Sequence, residues 1–154
     1  MAALPEIDPA SPLQFIVNAA AGSSDAEAKR AVIEAALRAG GRRGDLLFCS
    51  PAELARVAHE AAARAMASGT AVVAVGGDGT LNTVAQAAHA ASCAIGVVPY
   101  GTFNYFARSH GISTDVGEAV QQLLQASPHA VRVAALNERI FLVNCAPCHG
   151  SDGR

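Results

Sequence analysis

The chain has 154 residues, 51% of them hydrophobic but only 5% aromatic, and a formal net charge of −2. That length suits a single ordinary domain, and the charge balance excludes a polybasic surface built for nucleic acid or for electrostatic docking on anionic lipid. No apolar run reaches the roughly 18 residues of a membrane span, and Met1–Pro12 lacks the basic region and apolar core of a signal peptide, so the expectation is a cytoplasmic protein with reduced cysteines.

In chain order, residues 1–12 read as a flexible arm, because Pro5, Pro9 and Pro12 resist regular structure. Leu13–Val17 reads as a first strand, with Asn18-Ala19-Ala20-Ala21-Gly22 as its exit loop. Asn18 is open to two readings, a turn residue bonding its own backbone or a ligand contact. Ser24-Asp25-Ala26-Glu27 has capping-box spacing and starts a helix. Val32, Ile33, Ala36 and Leu37 supply its buried stripe, and Gly40 and Gly41 end it. Asp45–Cys49 is a second strand. Ser50-Pro51-Ala52-Glu53 is a second capping box, with Pro51 at the first helical position. The helix it opens runs to about Met66 and stops at Gly69. Cys49 and Cys93 have no metal-site spacing and read as small buried residues.

Val72–Val75 is a short apolar strand that runs into Gly76-Gly77-Asp78-Gly79. Thr80 then opens a segment in which Leu81, Val84, Ala87 and Ala88 share one helical face. Strand, glycine turn and helix together make an anion site. Glycine allows positive φ and close backbone approach, and the helix start offers N–H groups and a positive dipole end. The stretch has neither the G-x-G-x-x-G spacing nor the Gly-Lys-Ser/Thr ending of the commonest nucleotide loops. The plain alternative is a tight turn without a ligand, although one glycine would serve for that. Asp78 is either a cation ligand or an acid capping the helix that follows it.

A second apolar strand beginning at Ile95 leads into Pro99-Tyr100-Gly101-Thr102, and Asn104–His110 is a short helix. If the two strands are parallel and joined by the intervening helix, both turns lie at the same carboxyl edge. Gly76–Thr80 and Gly101–Asn104 then face each other across one crevice. Thr114–Ala126 carries Val116, Val120, Leu123 and Leu124 on one helical face, and Val131–Ala135 and Ile140–Val143 are strands around the turn 136–138.

Gly76-Gly77-Asp78-Gly79-Thr80-Leu81-Asn82 followed by Pro99-x-Gly101-Thr102-x-Asn104-x-Phe106-Ala107 resembles the catalytic domain of diacylglycerol kinases, a family that includes sphingosine kinases and bacterial lipid kinases. The resemblance runs from about Phe15 to Asn144, within a catalytic domain read as residues 13–144. It implies an α/β, three-layer Rossmann-like domain with a mostly parallel sheet and helices on both faces. It also implies a second, β-rich domain, which is expected to be absent here. By resemblance, Gly76, Gly77 and Gly79 cradle ATP phosphates with backbone N–H groups, and Thr80 and Thr102 add hydroxyls. Leu81, Gly101 and Asn104 complete the two motifs, Asn82 braces the turn or touches the nucleotide, and Asp78 holds Mg²⁺ directly or through water. Asn18 and Gly22 match the family's Asn-Pro-x-Ser-Gly turn, with Ala19 and Ala21 replacing proline and serine. Ser50 is the nearest candidate for a nucleotide-touching hydroxyl at the second strand's end, though capping is its stronger reading.

Tyr105 stands where the family commonly has an acid. The implied reaction transfers the γ-phosphate of ATP to a lipid hydroxyl such as that of diacylglycerol. The enzyme would meet the inner face of the membrane transiently and would not bind nucleic acid. The residue that activates the acceptor belongs to the second domain, so no catalytic residue is assigned here. A NAD kinase-like phosphotransferase is a rival reading, against which Gly101-Thr102-Phe103-Asn104 argues. A non-enzymatic nucleotide-binding fragment is another.

Residues 145–154 depart from that family. Cys145-Ala146-Pro147-Cys148-His149 has the C-x-x-C-H spacing of covalent haem attachment and resembles the opening of a small cytochrome c. No haem-enclosing helices or distal ligand follow it, so a working haem site is not expected, and a zinc or redox role would need further ligands. A truncation, frameshift or fusion junction near Cys145 is expected, with exposed strand edges that lead to a homodimer or to aggregation.

Overall fold

The computed structural model describes residues 4–19, 25–100, 104–131, 133–137 and 139–142. Gly22, Ser24, Gly101 and Thr102, and the Cys145, Cys148 and His149 cluster, lie outside the described residues. The elements are β1 (Leu13–Asn18), α1 (Asp25–Ala39), β2 (Gly44–Cys49), α2 (Leu54–Ser68), β3 (Ala71–Gly76), α3 (Asp78–Ala91), β4 (Ala94–Pro99), α4 (Tyr105–Ser109), α5 (Val116–Gln125), β5 (Val133–Leu136) and β6 (Arg139–Leu142).

The first four strands form one parallel sheet in the order β2-β1-β3-β4. Helices cover both faces, giving the three-layer α/β arrangement expected. Parallel strands buried on both faces carry unbroken apolar runs, and Val72, Val73, Ala74 and Val75 of β3 are all fully or almost fully buried. On one face Ile16, Val72 and Ala74 pack with Leu54, Ala58, Ala61, Ala62 and Ala65 of α2 and with Leu81, Val84, Ala87 and Ala88 of α3. On the other, Phe15, Val17, Val73, Val75 and Val98 meet Ile33, Ala36 and Leu37 of α1 and Ala119 and Val120 of α5. Alanine takes the core positions of α2 at helical spacing, so little side-chain volume separates that helix from the sheet. Gly96 does similar service under α5, where a Cβ would come within 2.6 Å of Leu123 Cδ1. The chain leaves α2 through Gly69 at φ 69°, a left-handed C-cap that suits glycine.

Three local expectations are corrected. Val32 is 43% exposed and is not part of the buried stripe of α1; the position that completes the stripe is Lys29, four residues before Ile33. The second capping box forms only by half. Glu53 Oε1 accepts from Ser50 N (3.1 Å) and from Ser50 Oγ (3.0 Å), whereas Glu53 N donates to Ser50 O. A carboxylate is a stronger acceptor than a hydroxyl, so it takes both Ser50 donors, and these bonds hold the Glu53 carboxyl below its ordinary pKa. Pro51 therefore lies in a turn, and α2 starts at Leu54. Finally, residues 4–12 have no helix or strand but are tied down. Asp8 N donates to Gly69 O (2.7 Å), Ser11 Oγ to Ser68 O (2.7 Å) and Arg43 Nη2 to Ala10 O (2.8 Å).

β5 and β6 form a separate antiparallel hairpin that leans on α3. Ile140 is buried, while Val133 and Leu136 of β5 are exposed. Ile140 N donates to Gln86 Oε1 (2.8 Å) and Leu142 N to Asn82 Oδ1 (2.9 Å). One helical turn separates the two acceptors and two strand residues separate the donors, and these steps are nearly equal in length, about 6 Å. The outer edge of β6, expected to lie open, is thus occupied by amide side chains. Replacing Asn82 or Gln86 by Ala is expected to cost about 0.5–1.5 kcal/mol each and to speed hydrogen exchange at Leu142 or Ile140 respectively. Unchanged exchange at both amides in the double variant would mean that the hairpin is held in another way.

Candidate functional site

From β1 the chain passes through α1 to β2 on one side, then returns to β3 on the other side of β1. Strand order reverses at that point, and the carboxyl ends of β1 and β3 are left without a helix crossing between them. Open α/β sheets bind their ligands at such a crevice. Asn18 closes β1, Gly76 closes β3, and Pro99 closes β4 in register with Gly76. The strands that lead into the two glycine turns end at one edge, as parallel pairing requires.

The glycine turn is built differently from expectation. Gly76, Gly77 and Gly79 do not use positive φ, and Gly77, the N-cap of α3, is extended at φ −88° and ψ −168°. Glycine is needed at Gly76 for space, because a Cβ there would lie 2.7 Å from Thr80 Oγ1 and 2.8 Å from Thr80 Cβ. At Gly79 a Cβ would meet nothing within 4 Å, so that side of the turn is bare backbone facing outward. The first-turn amides of α3 have no intrahelical acceptor and carry the positive end of its dipole.

Asp78 does not cap its own helix. Its Oδ2 accepts from Tyr105 N (3.0 Å) and its Oδ1 from Phe106 N (3.3 Å), so it caps α4, the helix after the other turn. Asn104, just before α4, is buried and left-handed at φ 52°, a conformation asparagine tolerates better than most residues. Two further bonds converge on the glycine turn. Tyr100 N donates to Gly76 O (2.8 Å), and Asn18 Nδ2 donates to Thr80 Oγ1 (3.1 Å).

Gly76, Gly77, Asp78, Leu81 and Asn104 share one shallow recess with Val97, Pro99 and Ala107. Thr80 is buried beneath it and bonded to Asn18, so its hydroxyl braces the turn. Asn82 turns to the hairpin. Ser50 is exposed beyond the end of β2, with its hydroxyl on Glu53. Sequence reasoning missed Lys29 and Tyr100. Lys29 is 4% exposed, and its Nζ lies 4.1 Å from the centre of the Tyr100 ring and 3.4 Å from Asn18 O. The signal was present, since a charged residue at the i−4 position of the Ile33 stripe is out of place on a helix that simply packs.

Among the described residues, no group of three or more His, Cys, Asp or Glu side chains could hold a metal. Burial pushes the Cys49 and Cys93 thiols up, which keeps them protonated and unreactive near neutrality. Mg²⁺ bound with a nucleotide needs fewer protein ligands, commonly one or two carboxylates with phosphate oxygens and water. Each Asp78 oxygen accepts one N–H bond and has a second lone pair. With the bare backbone at Gly79 and the outward first-turn amides of α3, the residues present fit a metal-bound polyphosphate.

Fold and crevice define an α/β domain with its candidate site at a strand-order switch point. Residues 12–136 match the diacylglycerol kinase catalytic domain, and the chain belongs to that family. A protein named "Probable lipid kinase YegS-like" from Pseudomonas syringae pv. tomato is 40% identical over 73 residues, which are 46% of this chain and 24% of that one. A diacylglycerol kinase of Staphylococcus carnosus is 37% identical over 73 residues, again 46% of this chain and 24% of the relative. A crystal structure of a diacylglycerol kinase from Bacillus anthracis superposes with a TM-score of 0.71 at 23% identity, covering 84% of this chain and 44% of that one. That likeness shows the shared fold. The chain thus spans less than half of the proteins it matches.

Two substitutions test how the site is assembled. Gly76→Ala should displace Thr80, break its bond to Asn18 and cost about 1–3 kcal/mol, measured by urea unfolding. Asp78→Ala should leave the sheet intact while exchange at the Tyr105 and Phe106 amides rises, for a loss of about 1–3 kcal/mol. Protected Tyr105 and Phe106 amides in the Asp78 variant would show that α4 has another cap.

Proposed function

We propose that this chain is the nucleotide-binding half of an ATP-dependent lipid kinase, in which the γ-phosphate of ATP passes to a lipid hydroxyl, with diacylglycerol as the substrate class. The observation that carries the reading is the Asp78 cap on α4, which ties the glycine-rich exit of β3 to the helix that ends the second motif of a diacylglycerol kinase family member. Residues 13–144 form the catalytic-domain unit in this reading, and residues 145–154 a stretch of different origin.

Phosphoryl transfer depends chiefly on positioning and charge neutralisation. The α3 first-turn amides and the backbone of Gly76, Gly77 and Gly79 would hold the phosphates. Leu81, Gly101, Thr102 and Asn104 would shape the nucleotide side, with Asn18 and Ser50 at the ends of β1 and β2. Asp78 would hold Mg²⁺, whose contribution is to neutralise charge on the phosphate oxygens. Thr80 and Asn82 act as braces for the turn and the hairpin. No helix among the described residues is long and apolar enough to cross a membrane. We place the protein in the cytoplasm, meeting its lipid at the inner membrane face.

In this reading the chain supplies the donor side of the site, so this chain alone would hold donor phosphates without excluding water from them. We therefore expect nucleotide binding with slow transfer or none, which is the non-enzymatic reading applied to the isolated chain. Labelled ATP offered with diacylglycerol, sphingosine and NAD separates the alternatives. Label in NAD would sink the lipid reading. Turnover of lipid by a monodisperse monomer at about 1–100 per second would show that the half-site suffices. Calorimetry adds the site test. Asp78→Ala should weaken Mg·ATP binding, and Gly77→Val should weaken it further by blocking backbone approach. Unchanged affinity in both would return the glycine turn to a structural role.

A further inference from the structure

Lys29 is a buried cation at the edge where the candidate site lies. It stands on α1 at 4% exposure, on the stripe that carries Ile33, Ala36 and Leu37 into the core. Its ammonium lies 3.4 Å from Asn18 O at the end of β1 and 4.1 Å from the centre of the Tyr100 ring just beyond β4. Each of these contacts bonds in turn to the glycine turn between them. The Asn18 side chain reaches Thr80 Oγ1, and Tyr100 N reaches Gly76 O. Lys29 thereby spans the β3 exit from the α1 side of the sheet. Burying an ammonium is costly, and a helix that simply packs would carry an apolar residue at that position of its stripe.

We propose that Lys29 is a specificity-determining residue of the nucleotide site, a fixed positive charge that selects ligands by the number of phosphates they carry. The inference rests on the nucleotide-binding reading above and deepens it. A buried charge is screened by salt far less than a surface lysine, and charges separated by protein attract more strongly than those separated by water. A triphosphate at the glycine turn gains more from that field than a diphosphate does. The ammonium acts through its field and needs no direct contact with the phosphates; Asn18 O and the Tyr100 ring are among the groups that position it.

The test is the ratio of ATP to ADP affinity, measured by calorimetry on the full chain at fixed Mg²⁺ and salt. Lys29→Met should lower ATP affinity on the order of tenfold and ADP affinity less, so that the ratio falls. Lys29→Arg keeps the charge and should keep the ratio. Lys29→Gln serves as a second neutral variant should the methionine protein fail to fold, with thermal unfolding checked for all. If the neutral variants weaken ATP and ADP equally, Lys29 acts only on structure and the proposal is overturned, while the nucleotide reading survives. An unchanged ATP affinity overturns it as well. A wild-type chain that binds neither nucleotide overturns both.

Discussion

The carboxylate of Asp78 is the interaction on which the site depends. It belongs to the first turn of one helix and accepts the first amides of another, 27 and 28 residues further on. Those amides have no intrahelical acceptor, and a short helix such as α4 has little cooperativity with which to start itself. A charged acceptor supplied from the neighbouring turn solves both problems. It also ties the exit of β3 to the start of α4. The Tyr100 to Gly76 bond then continues the pairing of β4 with β3 one residue beyond the sheet.

What positions Asp78 is the sheet beneath it. Parallel strands deliver their loops to one edge, and the reversal of strand order between β1 and β3 keeps that edge open. Alanine along α2 and glycine at Gly96 keep the layers close, so the strand ends are held by packing over most of their length. Rigid strands with bare, glycine-rich exits let ligand-facing backbone sit on a well-packed base. Lys29 shows the same economy, since one helix contributes core residues and a charge from a single stripe.

The hairpin β5–β6 has a different relation to the domain. It is outside the four-stranded sheet and is attached through α3 by Ile140 and by two amide side chains. Asn82 is part of that attachment. The residue belongs to the family's glycine motif and anchors the element that follows α5, so the motif joins the site to the last described strand. β5 remains exposed along its length, in a chain that covers less than half of its structural relative.

The sequence by itself determined the class of fold, the burial of β3, the stripe of α3 and the two turns that carry the family motif. Those features are local. Apolar runs, helical spacing and glycine punctuation each express the backbone's own periodicity. The parts of the site that needed two distant segments were not legible. The partners of Asp78, the bond from Asn18 to Thr80, the claim of the hairpin on Asn82 and the burial of Lys29 all depend on which elements become neighbours. Val32 and Lys29 illustrate the limit, because hydrophobicity chose the wrong one for the buried stripe. The competition at Ser50 illustrates it on a smaller scale, since spacing announced a capping box but the relative strength of two acceptors decided which half formed. Side-chain bonds go to whatever acceptor the tertiary structure brings within reach, and only the assembled sheet decided that.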